Sequence, residues 1–591
     1  MGAITGIFRR DGRLTEKALV DRMLDRVAFR GPDGRAVWAG DVAALAACVL
    51  KTGGNGTALV PVSAGEGLVV AADARLDDRR ELAAAIGDPE LARASSDAGL
   101  ILAAYQKWGE ECPAHLMGDF AFAIWDERRR ILFCARDAVG VCPFYYHLSD
   151  RAFLFGSEIK ALLADAEVPR RLNEEAVAAY LGRFFEDKQD TFYRDIQRLP
   201  PAHAMTVSAD SVRAWRYWAL ETDTPVRLAG DGEYAEAFLD VFTRAVRRRL
   251  GEGEQIGCML SGGLDSSSIA CTASHLMARN GGLPLHTFSA VFPEVRELDR
   301  RIDEQRYIQA VLATGNFQPH TVAADRFGPL SGVVWHEDEP LPAPSLYMDR
   351  AVFHAASGAG VKVLLSGNDG DTTVSYGYEL LTQLARSGRW FRLARESKAL
   401  AAHWDVQRWK RVAWELGFKP LAPAAAATAW RRLCGRPQPP WGPHSVISAE
   451  FARRTNLAER IRKFGASPLR RARTPAEEHR NALDSGLMLW VVEVLCKAGA
   501  AQGLELRFPF FDRELMQFCV SLPADQKLQN GLNRAVMRRA MDGILPAEVC
   551  TRVKKGSMST NFKTRLLQYD RPALDRLMNE DRPLLARFTD A

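Results

Sequence analysis

At 591 residues the chain is long enough for two or more domains. Its 47% hydrophobic and 26% charged content is that of a globular protein, and no apolar run reaches the ~18 residues of a transmembrane helix, so a helical membrane protein is excluded. A net charge of +5 over this length gives no sign of a nucleic-acid partner.

The N-terminus lacks the basic, then apolar, then small-residue order of a signal peptide. Met1-Gly2 has the form of a myristoylation start, but Gly6 stands where Ser or Thr is needed. The ten cysteines are scattered, several in apolar runs (Cys48, Cys134, Cys258, Cys519), and none forms a Cys-x-x-Cys pair. Buried free thiols in a reducing cytoplasm are therefore expected, without membrane association.

Residues 1–210 read as many short strands with a few helices. Phe120 to Trp125 and Arg130 to Asp137 are strand-length runs, and Asp126-Glu127-Arg128-Arg129 predicts a hairpin turn between them. The succession Gly118-Asp119-Phe120-Ala121-Phe122, Arg136-Asp137-Ala138-Val139-Gly140, Pro143-Phe144-Tyr145-Tyr146 and Phe155-Gly156-Ser157-Glu158 resembles the glutaminase half of asparagine synthetases. That resemblance implies an N-terminal-nucleophile αββα sandwich over residues 1–215. It continues through Leu199-Pro200-Pro201 and Arg216-Tyr217-Trp218. The implied chemistry needs a thiol at position 2, with the free α-amine as its base. Position 2 is Gly2. The stretch matching the family's oxyanion-hole Asn-Gly reads Ala72-Asp73-Ala74-Arg75-Leu76-Asp77, and a carboxylate there would repel an oxyanion. No glutaminase activity is expected, and the domain reads as a structural partner of the second half of the chain.

From about 230 to 591 helical and strand patterns alternate, which predicts a mostly parallel sheet with helices on both faces and ligands at the carboxyl ends of the strands. The apolar run Ile256 to Leu260 reads as a buried strand and Ile269 to Ala278 as a helix. Between them lies Ser261-Gly262-Gly263-Leu264-Asp265-Ser266-Ser267-Ser268. A glycine turn with hydroxyls before a helix N-terminus is an anion-binding arrangement. No Gly-Lys-Ser/Thr follows, so it is not a Walker A loop. Asp265 would repel phosphate unless Mg²⁺ bridged them. The run resembles the Ser-Gly-Gly-x-Asp-Ser loop of the PP-loop (adenine nucleotide α-hydrolase-like) ATP pyrophosphatases, which implies ATP cleavage between the α and β phosphates. By that resemblance Leu260, Ser261, Gly262, Gly263, Asp265, Ser266, Ser267 and, on the strand Leu285 to Val291, Ala290 contact the nucleotide.

Val361 to Leu365 reads as a second buried strand, running into Ser366-Gly367-Asn368-Asp369-Gly370-Asp371. In asparagine synthetase-like enzymes the last Asp of this loop shares Mg²⁺ with the Asp of the first. The resemblance thus implies Asp265 and Asp371 as metal ligands and Ser366 and Gly367 as nucleotide contacts. Asn368 departs from the Glu of asparagine synthetases and the Tyr of β-lactam synthetases. The extension Thr372-Thr373-Val374-Ser375-Tyr376-Gly377-Tyr378 is more similar to lasso-peptide cyclases.

Residues of about 381–480 form a basic, Trp-rich insert with Trp390, Trp404, Trp409, Trp414, Trp430 and Trp441, and its excess of Lys and Arg leaves the rest of the chain net acidic. Trp404 to Gly417 reads as helical. Packing with Trp inside and Arg outside is one reading, and a peptide-binding lid is the other. Pro437 to Pro443 reads as an extended loop. Near the C-terminus Glu505-Leu506-Arg507-Phe508-Pro509-Phe510-Phe511-Asp512 matches the superfamily's Glu-x-Arg-x-Pro-Phe-x-Asp stretch, read as an ion-paired brace. Arg552-Val553-Lys554-Lys555 matches an Arg-x-Lys element whose Lys, in relatives, sits over the reacting centre; Lys554 is the first choice for that role and Lys555 the second.

Together these resemblances imply an ATP- and Mg²⁺-dependent, AMP-forming amide synthetase. The first expectation is a lasso-peptide macrolactam synthetase acting on the core peptide of a ribosomal precursor, with a leader-binding protein and a leader protease as partners. A β-lactam-type synthetase, an ammonia-dependent asparagine synthetase and an inactive scaffold are the alternatives.

Overall fold

A computed structural model of the chain describes residues 2–52, 62–64, 67–251, 255–279, 281–297, 299, 302–330, 338–341, 346–421, 439–442, 445–464, 472, 474–553, 556 and 558–590. In its first half two six-stranded antiparallel sheets face each other. One runs Gln197–Arg198, Tyr145–Leu148, Ala152–Gly156, Gly2–Arg9, Ala43–Val49, Gly34–Ala39; the other runs Val212–Arg216, His203–Val207, Ile131–Arg136, Gly118–Asp126, Leu68–Leu76, Val62–Ala64. The expected hairpin is present, with Trp125 opposite Leu132. Strand alternation sends one face of each sheet inward, where Phe8 of the first meets Trp125 of the second with ring centroids 5.1 Å apart. Helix Lys17–Asp25 covers the outside of the first sheet through Leu19, Val20, Met23 and Leu24. Asp97–Trp108 covers the second, capped by Ser96, whose side chain accepts from the Gly99 N–H. The result is the αββα sandwich.

The second half is built on a five-stranded parallel sheet in the order Phe317–Ala323, Leu285–Val291, Ile256–Met259, Val363–Leu365, Glu505–Arg507. Alternation along one central strand feeds two cores. Val363 and Leu365 pack with Phe238, Phe242 and Ile269 of helices Asp231–Arg249 and Leu264–Arg279. Leu364 packs on the other side with Phe353 and Val492 of helices Leu346–Gly358 and Gly486–Ala500. Sheets with helices on both faces bind ligands at the strands' carboxyl ends.

Two local expectations are corrected. The helix after the first loop starts at Leu264, inside the loop rather than at Ile269, because Gly262 at φ +70 turns the chain straight into it. Trp404 to Gly417 is not one helix. Trp390–His403 ends at Trp404, Asp405 adopts φ 58, and a new helix, Trp409–Val412, continues as a π-helical turn over Ala413–Phe418. The Trp-inside reading also fails in part, since Trp390 and Trp414 are 53% and 57% exposed while Trp409 packs on the local core. Trp430 and part of the Pro437 to Pro443 stretch lie outside the described residues. The described cysteines are free, all buried except the half-buried Cys550. No helix among the described residues is long and apolar enough to cross a membrane.

Candidate active site at the carboxyl edge of the parallel sheet

Strand Ile256–Met259 delivers the first loop to this edge, and the Leu260 N–H still bonds Phe288 O at 2.9 Å. Ala290 lies two residues further along that neighbouring strand, so Leu260 and Ala290 flank the strand ends. The loop is closed on itself by hydroxyls: Ser266 Oγ lies 3.1 Å from Ser261 Oγ and accepts from Ser261 N at 3.2 Å. Ser267 Oγ is buried with no hydrogen-bond partner among the described residues. A buried hydroxyl without a protein partner in such a turn is available to a ligand oxygen.

The second loop arrives on the adjacent strand, where Leu365 pairs with Cys258. Ser366 N bonds Arg507 O at 2.9 Å and Asn368 N bonds Ser366 Oγ at 3.3 Å. Two glycines let the loops touch. A Cβ on Gly367 would lie 2.9 Å from Ser266 N and Cα, and one on Gly370 would lie 2.9 Å from Asp265 Cβ and Cγ. Asp371 follows Gly370 directly, so both carboxylates stand at this junction. Tyr376 donates its hydroxyl hydrogen to Asp371 Oδ2.

Arg534 was not legible in the sequence. Its Nη1 bonds both oxygens of Asp265, at 2.6 and 2.7 Å. Burial would lower the Arg534 pKa, but Asp265, Asp371 and Tyr376 together outweigh it and raise it. The partners are 269 residues apart, so no local pattern announces them. Arg552 of the Arg-x-Lys element donates to Gly262 O at 2.9 Å and so touches the first loop. Lys554 and Lys555 lie outside the described residues.

Behind the second loop, Lys527 Nζ lies 2.9 Å from His479 Nδ1, and His479 Nε2 lies 2.9 Å from Thr372 O. With the lysine donating to Nδ1, the Nε2–H donates to the carbonyl, and the imidazole is neutral. Burial, then Lys527, push the His479 pKa well below its ordinary value. The brace is also present: Arg507 Nε bonds Glu505 Oε1 at 2.6 Å, and Asp512 accepts from Glu514 N and Leu515 N at the start of helix Arg513–Ser521.

Position 2, where the resemblance implied a nucleophile, admits no side chain. A Cβ on Gly2 would lie 1.9 Å from Cys48 O. The Gly2 N–H bonds Asp73 Oδ1 at 2.7 Å, and Arg30 Nε donates to Gly2 O at 2.9 Å. Burial raises the Asp73 pKa more strongly than Arg30 lowers it.

Comparison with known proteins agrees with this division. Residues 237–590 match the asparagine synthase family and residues 1–218 match the glutamine amidotransferase domain. Asparagine synthetase [glutamine-hydrolyzing] 3 of Bacillus subtilis is 28% identical over 91% of this chain and 84% of its own length. Putative asparagine synthetase [glutamine-hydrolyzing] 2 of Methanocaldococcus jannaschii is 30% identical over 47% of this chain and 53% of its own. Amidase chry2 of Gibberella zeae is 26% identical over 60% of this chain and 54% of its own. The chain belongs to the asparagine synthase family, a class of ATP-dependent amide-forming ligases, and joins that domain to a glutamine amidotransferase domain.

Proposed function

We propose that the protein is an AMP-forming lasso-peptide cyclase without glutaminase activity. A side-chain carboxylate oxygen of the core peptide attacks the α-phosphorus of ATP, the Pα–O–Pβ bond breaks, and pyrophosphate leaves. The peptide's own N-terminal amine then attacks the acyl carbon. The acyl C–O bond to AMP breaks, one proton is lost from nitrogen, and an isopeptide bond closes. The observation that carries this reading is the pairing of two abutting carboxylate loops with a Gly2 position that admits no side chain. An enzyme that activates a carboxylate but makes no ammonia takes its amine from the substrate or from solution, and a substrate-borne amine is the one that needs no second binding site. Intramolecular capture has a high effective molarity. An α-amine with an ordinary pKa of about 7.7–8.0 is partly neutral near neutrality.

Asp265 and Asp371 would hold a Mg²⁺ ion through the lone pairs that Arg534 leaves on Asp265 and Tyr376 leaves on Asp371. They are hard oxygen donors at one junction, and Mg²⁺ takes one or two carboxylates with phosphate oxygens and water completing the shell. The ion would offset the charge of the pyrophosphate. Ser261, Gly262, Gly263, Ser266 and Ser267 would hold phosphate oxygens, Leu260 and Ala290 the adenine, Ser366 and Gly367 the nucleotide on the other side. Lys554, or else Lys555, would balance charge on the α-phosphate and then on the tetrahedral centre. The core peptide, a leader-binding protein and a leader protease are the proposed partners, and the cytoplasm the proposed location.

The curated relatives named as asparagine synthetases favour a second reading, ammonia-dependent asparagine synthesis. One assay separates the two. The protein is incubated with ATP, Mg²⁺ and either candidate core peptides or aspartate plus ammonium. AMP release with loss of one water from the peptide supports cyclisation. AMP with aspartate and ammonium alone supports asparagine synthesis, and no AMP with any carboxylate removes both.

A further inference from the structure

Beyond Asp371 the chain carries aromatic side chains that the adenylation chemistry does not use. Tyr376, hydrogen-bonded to Asp371, lies with the Arg534 guanidinium 5.7 Å from its ring centre. Its ring stacks on Tyr378 at 5.3 Å and 9°. Trp404 meets Tyr378 edge-on at 5.5 Å and 82°. Both tyrosines are half-buried, while Trp404 is 39% and the nearby Val406 37% exposed. The row therefore starts on a carboxylate of the candidate site and ends on the surface of the insert.

The turn that aligns it is strained and pinned. Ser375 holds φ 69, costly for a non-glycine residue, and Gly377 holds φ +74 with Leu528 N only 2.6 Å from where a Cβ would stand. Ser375 Oγ donates to Glu379 Oε1 at 3.0 Å and accepts from Gly377 N at 3.0 Å. Strain held in place this way clusters at ligand clamps and active sites.

We infer that Tyr376, Tyr378 and Trp404 form the docking wall of the acyl substrate, a peptide segment that lays an aromatic or large aliphatic side chain against Tyr378 and Trp404 while its carboxylate reaches the Asp371 loop. The inference rests on the proposed adenylation. Continuity with the candidate site argues for the substrate as occupant. Ring-to-ring steps of 5.3 and 5.5 Å carry the row from the Asp371 loop to the exposed Trp404, where a substrate with residues beyond its reacting carboxylate would meet it. Aromatic side chains supply large contact area with specific geometry, the property of binding anchors.

The test places the photo-crosslinker p-benzoylphenylalanine at Val406 of the full chain. The probes are synthetic linear peptides with a free N-terminal glycine, one aspartate, and Phe, Trp, Leu, Ile or Ala beside it, with α,β-methylene-ATP and Mg²⁺ present. Labelling is expected with the large side chains and about tenfold weaker with Ala, a difference in line with one lost aromatic contact. Trp404→Ala, in the same background, should raise the half-saturating peptide concentration about tenfold with ATP binding unchanged, and Trp404→Phe should restore it. No labelling by any peptide, equal labelling by the Phe and Ala peptides, or an unmoved Trp404→Ala would overturn the wall. AMP release from the unsubstituted protein is measured in parallel with hydrolysable ATP. AMP without labelling removes the wall alone, whereas labelling without AMP from any carboxylate keeps the wall and removes the adenylation.

Discussion

A Cβ added to Gly2 would sit 1.9 Å from the Cys48 carbonyl oxygen, against an ordinary carbon–oxygen approach of about 3.3 Å. Gly2→Cys is therefore expected to restore no chemistry: glutamate release from glutamine stays at background, and the melting temperature falls by the equivalent of about 1–3 kcal/mol of overpacking. Detectable glutaminase activity in that variant would show that the strand can yield. At the other site the decisive residue is Arg534, whose guanidinium holds both oxygens of a buried Asp265. Removing one partner of a buried ion pair typically costs about 3–5 kcal/mol, because the other charge is left alone in a poor solvent. Arg534→Met should lose stability on that order, and Mg²⁺ should return part of the loss by pairing with the exposed carboxylate. Calorimetric scans with and without Mg²⁺ read this directly, and equal Mg²⁺ effects on variant and parent would mean that Arg534 does not compete with the ion for Asp265.

Among the elements, the loop carrying Asp371 is held from behind by helix Pro475–Leu483, through His479 Nε2 on Thr372 O. Burial and Lys527 keep the imidazole neutral, with its pKa far below 6.5. The unfolded chain takes up that proton near pH 6.5 and the folded one does not. Between the two pKa values the unfolded state holds more protons, so stability is intact above about pH 6.5 and is lost as the pH falls below it, by at most ~1.4 kcal/mol per pH unit. His479→Asn should flatten this part of the profile, measured as unfolding free energy from pH 7 to pH 5. An unchanged slope would assign the acid sensitivity elsewhere. Neither this support nor Arg534 was legible in the sequence, because both join residues far apart in the chain with no periodic pattern. What was legible is local or periodic: the hairpin at Asp126 to Arg129, the strand Leu285–Val291, and the two Gly/Asp loops. The insert sits between these cases. Its helical composition was readable, but the break at Asp405 was not, since an aspartate in the left-handed region leaves little trace in propensity.

For the whole molecule the question is what a glutamine amidotransferase fold with Gly at position 2 contributes. Its buried charges answer in part. Arg136 and Arg198 of the sandwich half donate to Glu493 on helix Gly486–Ala500 of the synthetase half, at 2.8 and 2.9 Å, and Tyr145 OH donates to the same carboxylate at 2.9 Å. Burial alone would raise the Glu493 pKa, but the two guanidiniums outweigh it and hold it at about 2. Arg136 also donates to Cys142 O, Leu199 O and Gly140 O, so the carboxylate from one half organises a turn of the other. Helix Gly486–Ala500 in turn packs beside strand Glu505–Arg507, whose Arg507 carbonyl receives Ser366 N at the candidate site. The sandwich thus braces the strand on which the second loop is hung, through this helix and directly, since Thr52 donates to Glu505 Oε2 and Arg75 Nε lies 3.8 Å from Glu505 Oε1. Glu493→Ala would take the shared carboxylate from two buried guanidiniums, leaving Arg198 with Glu339 and Arg136 with its three carbonyls, at a cost of up to about 3–5 kcal/mol concentrated at the junction. The expected outcome is that one calorimetric transition becomes two, because loss of the shared anion uncouples halves that each keep a core of their own. Glu493→Gln keeps the hydrogen-bond geometry without the charge and should lie between. Were Glu493→Ala to melt in one transition at an unchanged temperature, the two halves would be joined by their apolar contacts, and the charge cluster would be a passenger at the interface.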